Sequence, residues 1–368
     1  MLGLFWQGYT PALAVFFFTL MTDTLPPLST LSELDAFLTS LGAKALHKRR
    51  LYRAWLGRAP WVASEDEALP KRVREVLEAL RARLSGLAQI SSRHPGADPE
   101  SERLLVMLTD GQTIESVLLP RSGVCVSTQL GCAVGCRFCM TGQGGLIRQL
   151  TDAEIVAQVV LARQLRPQTK KVVFMGMGEP SHNLDHVFSA LNFLGEYGDF
   201  GHKDLVVSTV GDERLFERLH TSNVKPALAV SMHTIDDTKR AHLLPRGTRM
   251  SVTALIEEAE RWARTCHYPT QYQWTLIEGV NDSIEEVEAF AKKLAGHYAM
   301  VNFIPVNAVE HSPYRRPERE HCAELVRTCR RLGVIATLRD SAAQDVDGGC
   351  GQLRARVVLR AMKKTATP

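Results

Sequence analysis

The sequence has few cysteines, little net charge and no low-complexity tract. Eight cysteines in 368 residues are too few for a disulfide-rich scaffold, which favours a reducing compartment. A formal net charge of +4 excludes a histone-like protein that binds polyanions through bulk charge. Hydrophobic residues make up 45% of the chain and charged residues 23%, a composition that excludes intrinsic disorder. The length predicts about two domains with a sizeable core.

The N-terminal segment from Met1 to Met21 contains no charged residue. It lacks the basic region of a signal peptide, and Gln7 and Pro11 interrupt the apolar run that a membrane span needs. Three interpretations stay open: a mis-assigned start with Met21 as the initiator, an ordered arm, or a membrane role. We expect a disordered or mis-assigned extension over 1–22, and no membrane partner.

Positive charge is concentrated in the segment that follows. A capping box at Thr30–Glu33 predicts the start of a helix. Between Lys44 and Arg83, eleven Lys and Arg residues stand against five Asp and Glu residues, a local charge of +6, so the remainder carries −2. One interpretation is a solvated helical surface. The other is a small helical module that grips nucleic-acid phosphates.

Strand patterns replace the helical pattern in the middle of the chain. Ser91–Glu100 is polar and contains Pro95-Gly96, which predicts a linker. The apolar runs on either side of Asp110-Gly111 predict a β-hairpin, because Asp-Gly is typical of its turn. We therefore predict a linker and hairpin over 91–122.

From residue 124 onward, short β-branched runs alternate with helical stretches. This alternation predicts βαβ units around a parallel sheet. Six or seven such units are too few for a complete eight-stranded barrel. We predict an α/β fold with an open, partial (β/α)6 barrel over 123–355, followed by a C-terminal tail at 356–368.

Three cysteines lie close together in the loop after the first barrel strand: Cys132, Cys136 and Cys139. Their C-x3-C-x2-C spacing lacks the second ligand pair that structural zinc usually has. Three soft thiolates instead suit a [4Fe–4S] cluster with one iron left open. A group of thiols without metal is the alternative. The remaining Cys266, Cys322 and Cys329 match no motif, and the last two are expected in the core.

Two further motifs accompany these cysteines. Gly176–Pro180 (GMGEP) follows the second barrel strand, and Asp345–Leu353 (DVDGGCGQL) lies near the C terminus. With Leu130–Cys132 and Phe138–Gly142, they resemble the RlmN/Cfr family of radical S-adenosylmethionine (SAM) enzymes, which methylate adenine in 23S rRNA and tRNA. The resemblance, from about Leu34 to Leu353, implies a radical SAM partial barrel, a β-hairpin extension and a small N-terminal helical domain. From its local charge of +6, we expect the basic accessory domain at 23–90 to bind RNA.

The resemblance implies ligands for one cluster and for the cofactor. Cys132, Cys136 and Cys139 would hold the [4Fe–4S] cluster, and SAM would bind the fourth iron. SAM would contact residues at the ends of later strands: Gly178, Glu179, Ser208, Ser231, Met232, His233 and Asn307. Taken singly, Ser208 is more typical of a turn cap, His233 of a core histidine and Glu179 of a surface charge. Their common location at strand ends favours the cofactor site.

The resemblance also implies a mechanism through two further thiols. Cys350 lies among glycines, a setting that we expect to be flexible. It would take a methyl group from one SAM, becoming S-methylcysteine, and a second SAM would yield a 5′-deoxyadenosyl radical that removes a hydrogen from that methyl group. The carbon radical would add to an adenine ring carbon, and Glu115 would accept the ring proton. Cys125 would then release the product through a transient disulfide with Cys350.

Two segments depart from the family pattern and leave the target open. Asp212–Arg214 replaces an apolar stretch, and Arg246-Gly247 replaces an Asn-Arg/Lys-Tyr-Pro segment. C2 of adenosine 2503 in 23S rRNA is the default, while C8, tRNA or another RNA stays open. A radical SAM enzyme with a non-RNA substrate and a non-catalytic iron–sulfur protein are the competing functions. The chemistry implies a flavodoxin-type electron donor and a cytoplasmic location.

Overall fold

The computed structural model describes residues 25–61, 69–310 and 312–354. The extension predicted at 1–22 and the tail predicted at 356–368 lie outside these residues. The described strands are β1 (Ala88–Pro95), β2 (Glu102–Leu108), β3 (Thr113–Leu119), β4 (Gly123–Cys125), β5 (Gln129–Gly131), β6 (Leu146–Gln149), β7 (Lys171–Phe174), β8 (Leu205–Thr209), β9 (Ala227–Ser231), β10 (Thr270–Leu276), β11 (Ala299–Pro305) and β12 (Ile335–Leu338).

The described α-helices lie between and before these strands. They are α1 (Leu31–Ser40), α2 (Ala45–Trp55), α3 (Lys71–Glu75), α4 (Leu77–Gly86), α5 (Met140–Gln143), α6 (Asp152–Leu165), α7 (Leu184–Tyr197), α8 (Glu213–Thr221), α9 (Asp237–Leu243), α10 (Val252–Cys266), α11 (Ile284–Lys293) and α12 (Arg319–Arg331). Helix α1 begins with the predicted capping box, because Thr30 and Glu33 each accept the other's backbone N–H. In this part of the chain, no helix is long and apolar enough to cross a membrane.

One ten-stranded sheet organises the molecule, in the order β1-β2-β3-β4-β7-β8-β9-β10-β11-β12. Pairs from β1 to β4 are antiparallel, and pairs from β4 to β12 are parallel. Each of six parallel strands is followed by at least one helix, and β12 comes after the sixth unit. The predicted partial (β/α)6 barrel is confirmed. Strands β5 and β6 form a separate antiparallel ladder.

The hairpin is larger than the sequence predicts. Strands β2 and β3 pair around Asp110-Gly111 as expected. Ser91–Pro95, however, is not part of a linker, because it forms the end of β1 and pairs with β2 after a bulge. The Gly96 N–H donates to the Ser101 carbonyl at 2.8 Å, so the turn begins only after Pro95. Pairing with β2 outweighs the local Pro-Gly signal.

The N-terminal helices share one hydrophobic core with the barrel. The Tyr52 ring of α2 lies 5.0 Å from the rings of Phe193 and Tyr197 of α7. Two basic side chains, Arg53 and Arg58, pair with Asp199 just beyond the end of α7. Part of the local positive charge is therefore used to hold these helices against the barrel. Cys322 and Cys329 are fully buried in the same core, as predicted.

A buried arginine ties the N-terminal helices to the barrel. Arg163, near the end of α6, donates to the carbonyls of Leu56 at 3.1 Å, Gly198 at 2.6 Å and Thr169 at 3.4 Å. Its guanidinium also lies 4.1 Å from the Phe200 ring. Burial, followed by the nearby Arg58, lowers the pKa of Arg163 to about 10. One cation thus satisfies backbone carbonyls from three separate segments.

We predict that Arg163→Ala lowers the free energy of unfolding by about 3 kcal/mol, because three buried carbonyls lose a charged donor. Urea denaturation would measure the change. The matched control is Arg264→Ala, which removes an exposed arginine paired with Glu260 and should change stability by less than about 0.5 kcal/mol. Equal effects of the two substitutions would contradict the role of Arg163.

Candidate active site

The predicted cluster cysteines lie in one loop that leads from β5 to α5 and then to β6. The Cys132 N–H donates to the Gly145 carbonyl at 2.9 Å, and the Cys139 N–H donates to the Cys136 carbonyl at 3.0 Å. Gly142 packs so closely that a Cβ there would lie 2.9 Å from Gly135 Cα. The loop is therefore folded back on itself, with its three thiols in one small apolar cluster.

Burial dominates the chemistry of these thiols. It raises the pKa of Cys132 to about 12. It also raises the pKa of Cys136, and the neighbouring Cys139 and Cys132 raise it further. Cys132 and Cys136 are therefore held as neutral thiols.

The Cys350 segment packs directly on the cysteine loop. The Met140 N–H donates to the Gly351 carbonyl at 2.7 Å. A Cβ on Gly351 would lie 3.0 Å from the Phe138 carbonyl, and one on Gly349 would lie 2.8 Å from Asn307 Nδ2. The glycines are needed for this close contact, and the flexibility expected of the segment stays a prediction. The chain order places Cys350 far from the cysteine loop, but the fold makes them neighbours.

Cys350 is exposed, although enough protein surrounds it for desolvation to raise the pKa of its thiol. The Ser341 hydroxyl and the charge of Arg339 act in the opposite direction. Asn307 Nδ2 donates to the Cys350 carbonyl at 2.9 Å and to the Ser341 hydroxyl at 3.0 Å. Asn307 therefore positions the Cys350 segment at the end of β11.

Cys125 is buried at the end of β4, and Cys350 lies within electrostatic reach of it. Burial raises the pKa of Cys125, and Cys350 raises it further. The two thiols that the family resemblance pairs therefore lie near each other, and neither forms a disulfide with another cysteine of the chain.

Glu115 is fully buried on β3 and belongs to a charged network that the sequence analysis missed. Its carboxylate pairs with the guanidinium of Arg103 on β2, and its second oxygen accepts the Arg354 N–H at 2.7 Å. Arg103 Nε also donates to the Val346 carbonyl at 2.6 Å. The Glu115–Arg103 pair therefore joins the hairpin to residues on both sides of Cys350. The hairpin register could have revealed it, because Arg103 and Glu115 are diagonal neighbours across β2 and β3.

Glu179 is buried after β7, and its carboxylate already has three partners. Oε1 accepts the Thr209 hydroxyl at 2.6 Å and the Ser181 N–H at 2.9 Å, while Oε2 accepts the Val210 N–H at 3.0 Å. It is not the surface charge that its position before proline suggests. Gly178, at φ +107, lies so close to Gln129 that a Cβ would approach its side chain to 2.7 Å.

His233 follows β9 in the left-handed region, at φ +63. Its ring centroid lies 4.9 Å from that of Phe138 in the cysteine loop, and its Nδ1 accepts the Thr275 N–H at 2.9 Å. Burial, followed by the charge of Arg240, lowers the pKa of His233 to about 3. The imidazole is therefore neutral, and the Thr275 bond places its proton on Nε2.

The other predicted cofactor residues divide into two groups. Ser208 and Ser231 are half-buried at the ends of β8 and β9, near the loops described above. The Met232 side chain is fully buried in the main core. Arg240 was not predicted; it donates to the carbonyls of Val210 at 2.6 Å and Ser231 at 2.9 Å.

A cavity of about 800 Å³ lies between the Glu179 loop and the cysteine loop, where Ala133, next to Cys132, lines it. Ser181, His182, Arg214 and Arg218 are among its lining residues, and no predicted site residue is. The unusual Asp212–Arg214 segment thus forms part of a cavity wall, with Arg214 paired to Asp212.

Comparison with known proteins agrees with this geometry. A family model described as the radical SAM superfamily matches residues 126–294. A protein of Azoarcus sp. (strain BH72) named "probable RNA methyltransferase" is 58% identical over 331 residues, covering 89% of this chain and 95% of that protein. The chain belongs to the RlmN/Cfr family of radical SAM methyltransferases.

Two further relatives of this radical SAM methyltransferase extend the comparison. A protein of Leptothrix cholodnii, also named "probable RNA methyltransferase", is 58% identical over 322 residues, which cover 87% of this chain and 92% of the relative. The crystal structure of a radical SAM methyltransferase from Sphaerobacter thermophilus matches with a TM-score of 0.76 and 35% identity. That match covers 89% of this chain and 98% of the other.

Membership of the radical SAM superfamily implies a [4Fe–4S] cluster and SAM. The methyltransferase has a suitable donor set in the three neighbouring thiols of its cysteine loop. Buried thiols of raised pKa become thiolates when a metal displaces their protons. In the three described ranges, no group of three His, Cys, Asp or Glu side chains is already arranged to hold a metal ion. The three cysteines fit a [4Fe–4S] cluster in chemical type and location. Their sulfur atoms are, however, not arranged around a metal position.

We predict that His233 makes the stability of the metal-free methyltransferase depend on pH. Its folded pKa is about 3, below the ordinary 6.5, so below pH 6.5 the unfolded chain binds a proton that the folded chain does not. The contribution of neutral His233 to the free energy of unfolding is fully present above pH 6.5. It falls by about 2 kcal/mol from pH 7 to pH 5, because the unfolded chain takes up the proton.

The variant for this test is His233→Asn, because asparagine tolerates the left-handed backbone. Urea unfolding of both proteins at pH 7 and pH 5 would show a steeper loss of stability in the wild type. Parallel pH dependence in the two proteins would contradict a neutral buried His233.

Proposed function

We propose that this radical SAM methyltransferase methylates a ring carbon of adenine in RNA. The observation that carries the proposal is the convergence of Cys125, Cys350 and Glu115 beside the cysteine loop. The name "probable RNA methyltransferase" of the relatives supports RNA as the substrate class. C2 of adenosine 2503 in 23S rRNA is the first expected position, with C8 or a tRNA target as the alternatives.

We assign the cluster to Cys132, Cys136 and Cys139, and the cofactor to the residues at the ends of the parallel strands. When bound, the cluster and SAM supply a methyl group and the one-electron chemistry that activates it, with two SAM molecules used per turnover. Gly178 admits a close backbone approach, and His233 presents a neutral N–H donor at the same edge of the sheet. A flavodoxin-type donor in the cytoplasm is the proposed source of electrons.

Cys350 is the proposed methyl carrier. Its thiol is accessible, and Asn307 fixes its backbone at the open edge of the sheet. As an S-methyl thioether, it would present the methyl carbon to the substrate while staying bonded to the protein. Desolvation keeps the free thiol neutral, while Ser341 and Arg339 favour the thiolate that accepts a methyl group.

Glu115 and Cys125 are the proposed proton acceptor and resolving thiol. Once the new carbon–carbon bond has formed, Glu115 would take the proton from the ring carbon and one electron would pass to the bound cluster, which restores the aromatic ring; Arg103 holds the Glu115 carboxylate in place. The Cys125 thiol would then lose its proton and attack the Cys350 sulfur. The electron pair of the broken sulfur–carbon bond would stay with the methylene carbon, which would take up a proton to become the methyl group. The resulting disulfide needs a dithiol to reduce it before the next turnover.

The proposed RNA contacts include the basic N-terminal helices. Lys48, Arg53 and Arg58 are paired with Asp35 or Asp199, so they are less available than the sequence suggests. Two other arginines, Arg49 on α2 and Arg74 on α3, are exposed. RNA affinity should therefore depend on salt through these side chains and others of the same kind.

The proposed function predicts a specific product. After anaerobic cluster reconstitution, the wild-type protein with SAM, a reductant and total RNA should yield 2-methyladenosine or 8-methyladenosine, detected by mass spectrometry of digested nucleosides. Cys350→Ala should lose the product entirely while keeping its iron content, because only the carrier is removed. The control is Cys329→Ala, which removes a buried core thiol away from the site. If no RNA is methylated, or if Cys350→Ala turns over normally, the proposal is wrong.

A second prediction separates carrier from resolving thiol. Cys125→Ala should accumulate a covalent protein–RNA adduct through Cys350, because the sulfur–carbon bond can form but cannot be cleaved. Denaturing gel electrophoresis with labelled RNA would detect the adduct, and Cys125→Ala combined with Cys350→Ala should abolish it. Release of free methylated RNA by Cys125→Ala at the wild-type rate would rule out the resolving role.

A further inference from the structure

Four arginines belong to the cysteine loop or to α9 and the segment after it, and the mechanism uses none of them. They are Arg137, Arg240, Arg246 and Arg249, which we call the arginine patch. Arg137, Arg246 and Arg249 are exposed, while Arg240 is only 4% exposed. In the described part of the chain, no carboxylate lies within ion-pair distance of any of the four guanidinium groups. The patch thus concentrates unpaired positive charge beside the proposed cluster.

The unusual Arg246-Gly247 segment builds this patch on the cysteine loop. The Arg246 N–H donates to the Val134 carbonyl at 3.0 Å, and its Nη2 lies 3.3 Å from the position of a Cβ on Gly135. Arg137 is held in turn, because its N–H donates to the Leu243 carbonyl at 3.1 Å and its Nε to the His242 carbonyl at 2.8 Å. The two segments therefore form one surface.

A small cavity gives the patch a shape as well as a charge. It measures about 280 Å³, and Arg240, Thr248, Arg249 and Ser251 are among the residues that line it. Arg240 Nε is buried with no hydrogen-bond partner among the described residues. Asp237 also lines the cavity, but one of its oxygens accepts the Val252 N–H at 2.7 Å. The two arginines and one aspartate leave a net positive charge.

We propose that the arginine patch binds a phosphodiester of the substrate RNA next to the target nucleotide. This inference rests on the proposed function and adds a second contact surface, on the barrel itself. A phosphate group fits a concave, positively charged cavity with hydroxyl donors, and arginine forms paired hydrogen bonds to its oxygens. An acidic protein surface would meet the exposed arginines but would not reach the buried Arg240, which favours RNA over an electron-donor protein.

The test is the salt dependence of RNA binding. Anaerobically reconstituted protein is titrated into a fluorescein-labelled, 20-nucleotide single-stranded RNA at several KCl concentrations, and anisotropy gives Kd. For single strands the slope of log affinity against log salt changes by about 0.7 for each phosphate that the protein no longer neutralises. Arg246→Ala with Arg249→Ala removes the contact to one phosphate, so it should flatten the slope by about 0.7 and weaken binding several-fold at low salt.

The matched control is Arg327→Ala. It also removes an exposed arginine, but one paired with Glu320 and Glu324 on α12, so its slope should equal that of the wild type. Iron content is measured for every variant. If Arg246→Ala disturbs the cysteine loop and lowers the iron content, Arg249→Ala alone should still flatten the slope by about 0.7.

The outcomes separate this proposal from the function on which it rests. A wild-type protein that binds no RNA would overturn the proposed function. Wild-type binding with an unchanged slope in Arg249→Ala would overturn the arginine patch alone. If RNA affinity is unchanged but flavodoxin reduces the cluster more slowly in the double variant, the patch serves an acidic protein and the assignment to RNA is wrong.

Discussion

The parallel register of β4 through β12 is the constraint on which the candidate site depends. Parallel strands end at the same edge of a sheet, so residues far apart in the chain are delivered to one place. Cys125, His233 and Asn307 lie at the ends of β4, β9 and β11, respectively, and all reach that edge. The buried, β-branched strands stabilise this register through the core, and no site residue has to do so. The chemistry of the loops can therefore vary while the sheet stays the same.

The antiparallel hairpin adds a second constraint, which acts on the C-terminal segment. The Glu115–Arg103 pair is buried, and such a pair is costly to break because either partner alone would leave an unpaired charge. Through the Val346 carbonyl and the Arg354 N–H, it reaches the chain before and after Cys350. A carboxylate proposed as a proton acceptor is thus also part of the structure that presents the methyl carrier.

The sequence predicted what local patterns control, and it failed where tertiary contacts decide. The β/α alternation and the Asp-Gly turn are local signals, and the structure follows both. Ser91–Pro95 has a local turn signal that strand pairing overrides. Glycines around Cys350 suggested freedom, yet close packing requires them, a distinction that composition cannot make. Arg240 was missed because a buried charge is recognisable only once its partners are placed, whereas the register of the predicted hairpin already pairs Arg103 diagonally with Glu115. Motif residues such as Glu179 could be located, but not the hydrogen bonds that occupy its oxygens.

Arg163 has a consequence for how such enzymes can be recombined. Its guanidinium bonds to carbonyls that belong to the end of α2, the end of α7 and the turn after α6. Exchanging the N-terminal helices for those of another protein would leave this cation facing a backbone shaped for a different sequence. A working chimera would have to carry Arg163 and Phe200 together with the N-terminal helices. Its boundary should therefore be chosen from these contacts and not from a position in the chain. The N-terminal helices thus depend on a contact whose second partner, Arg163, lies more than a hundred residues later in the chain.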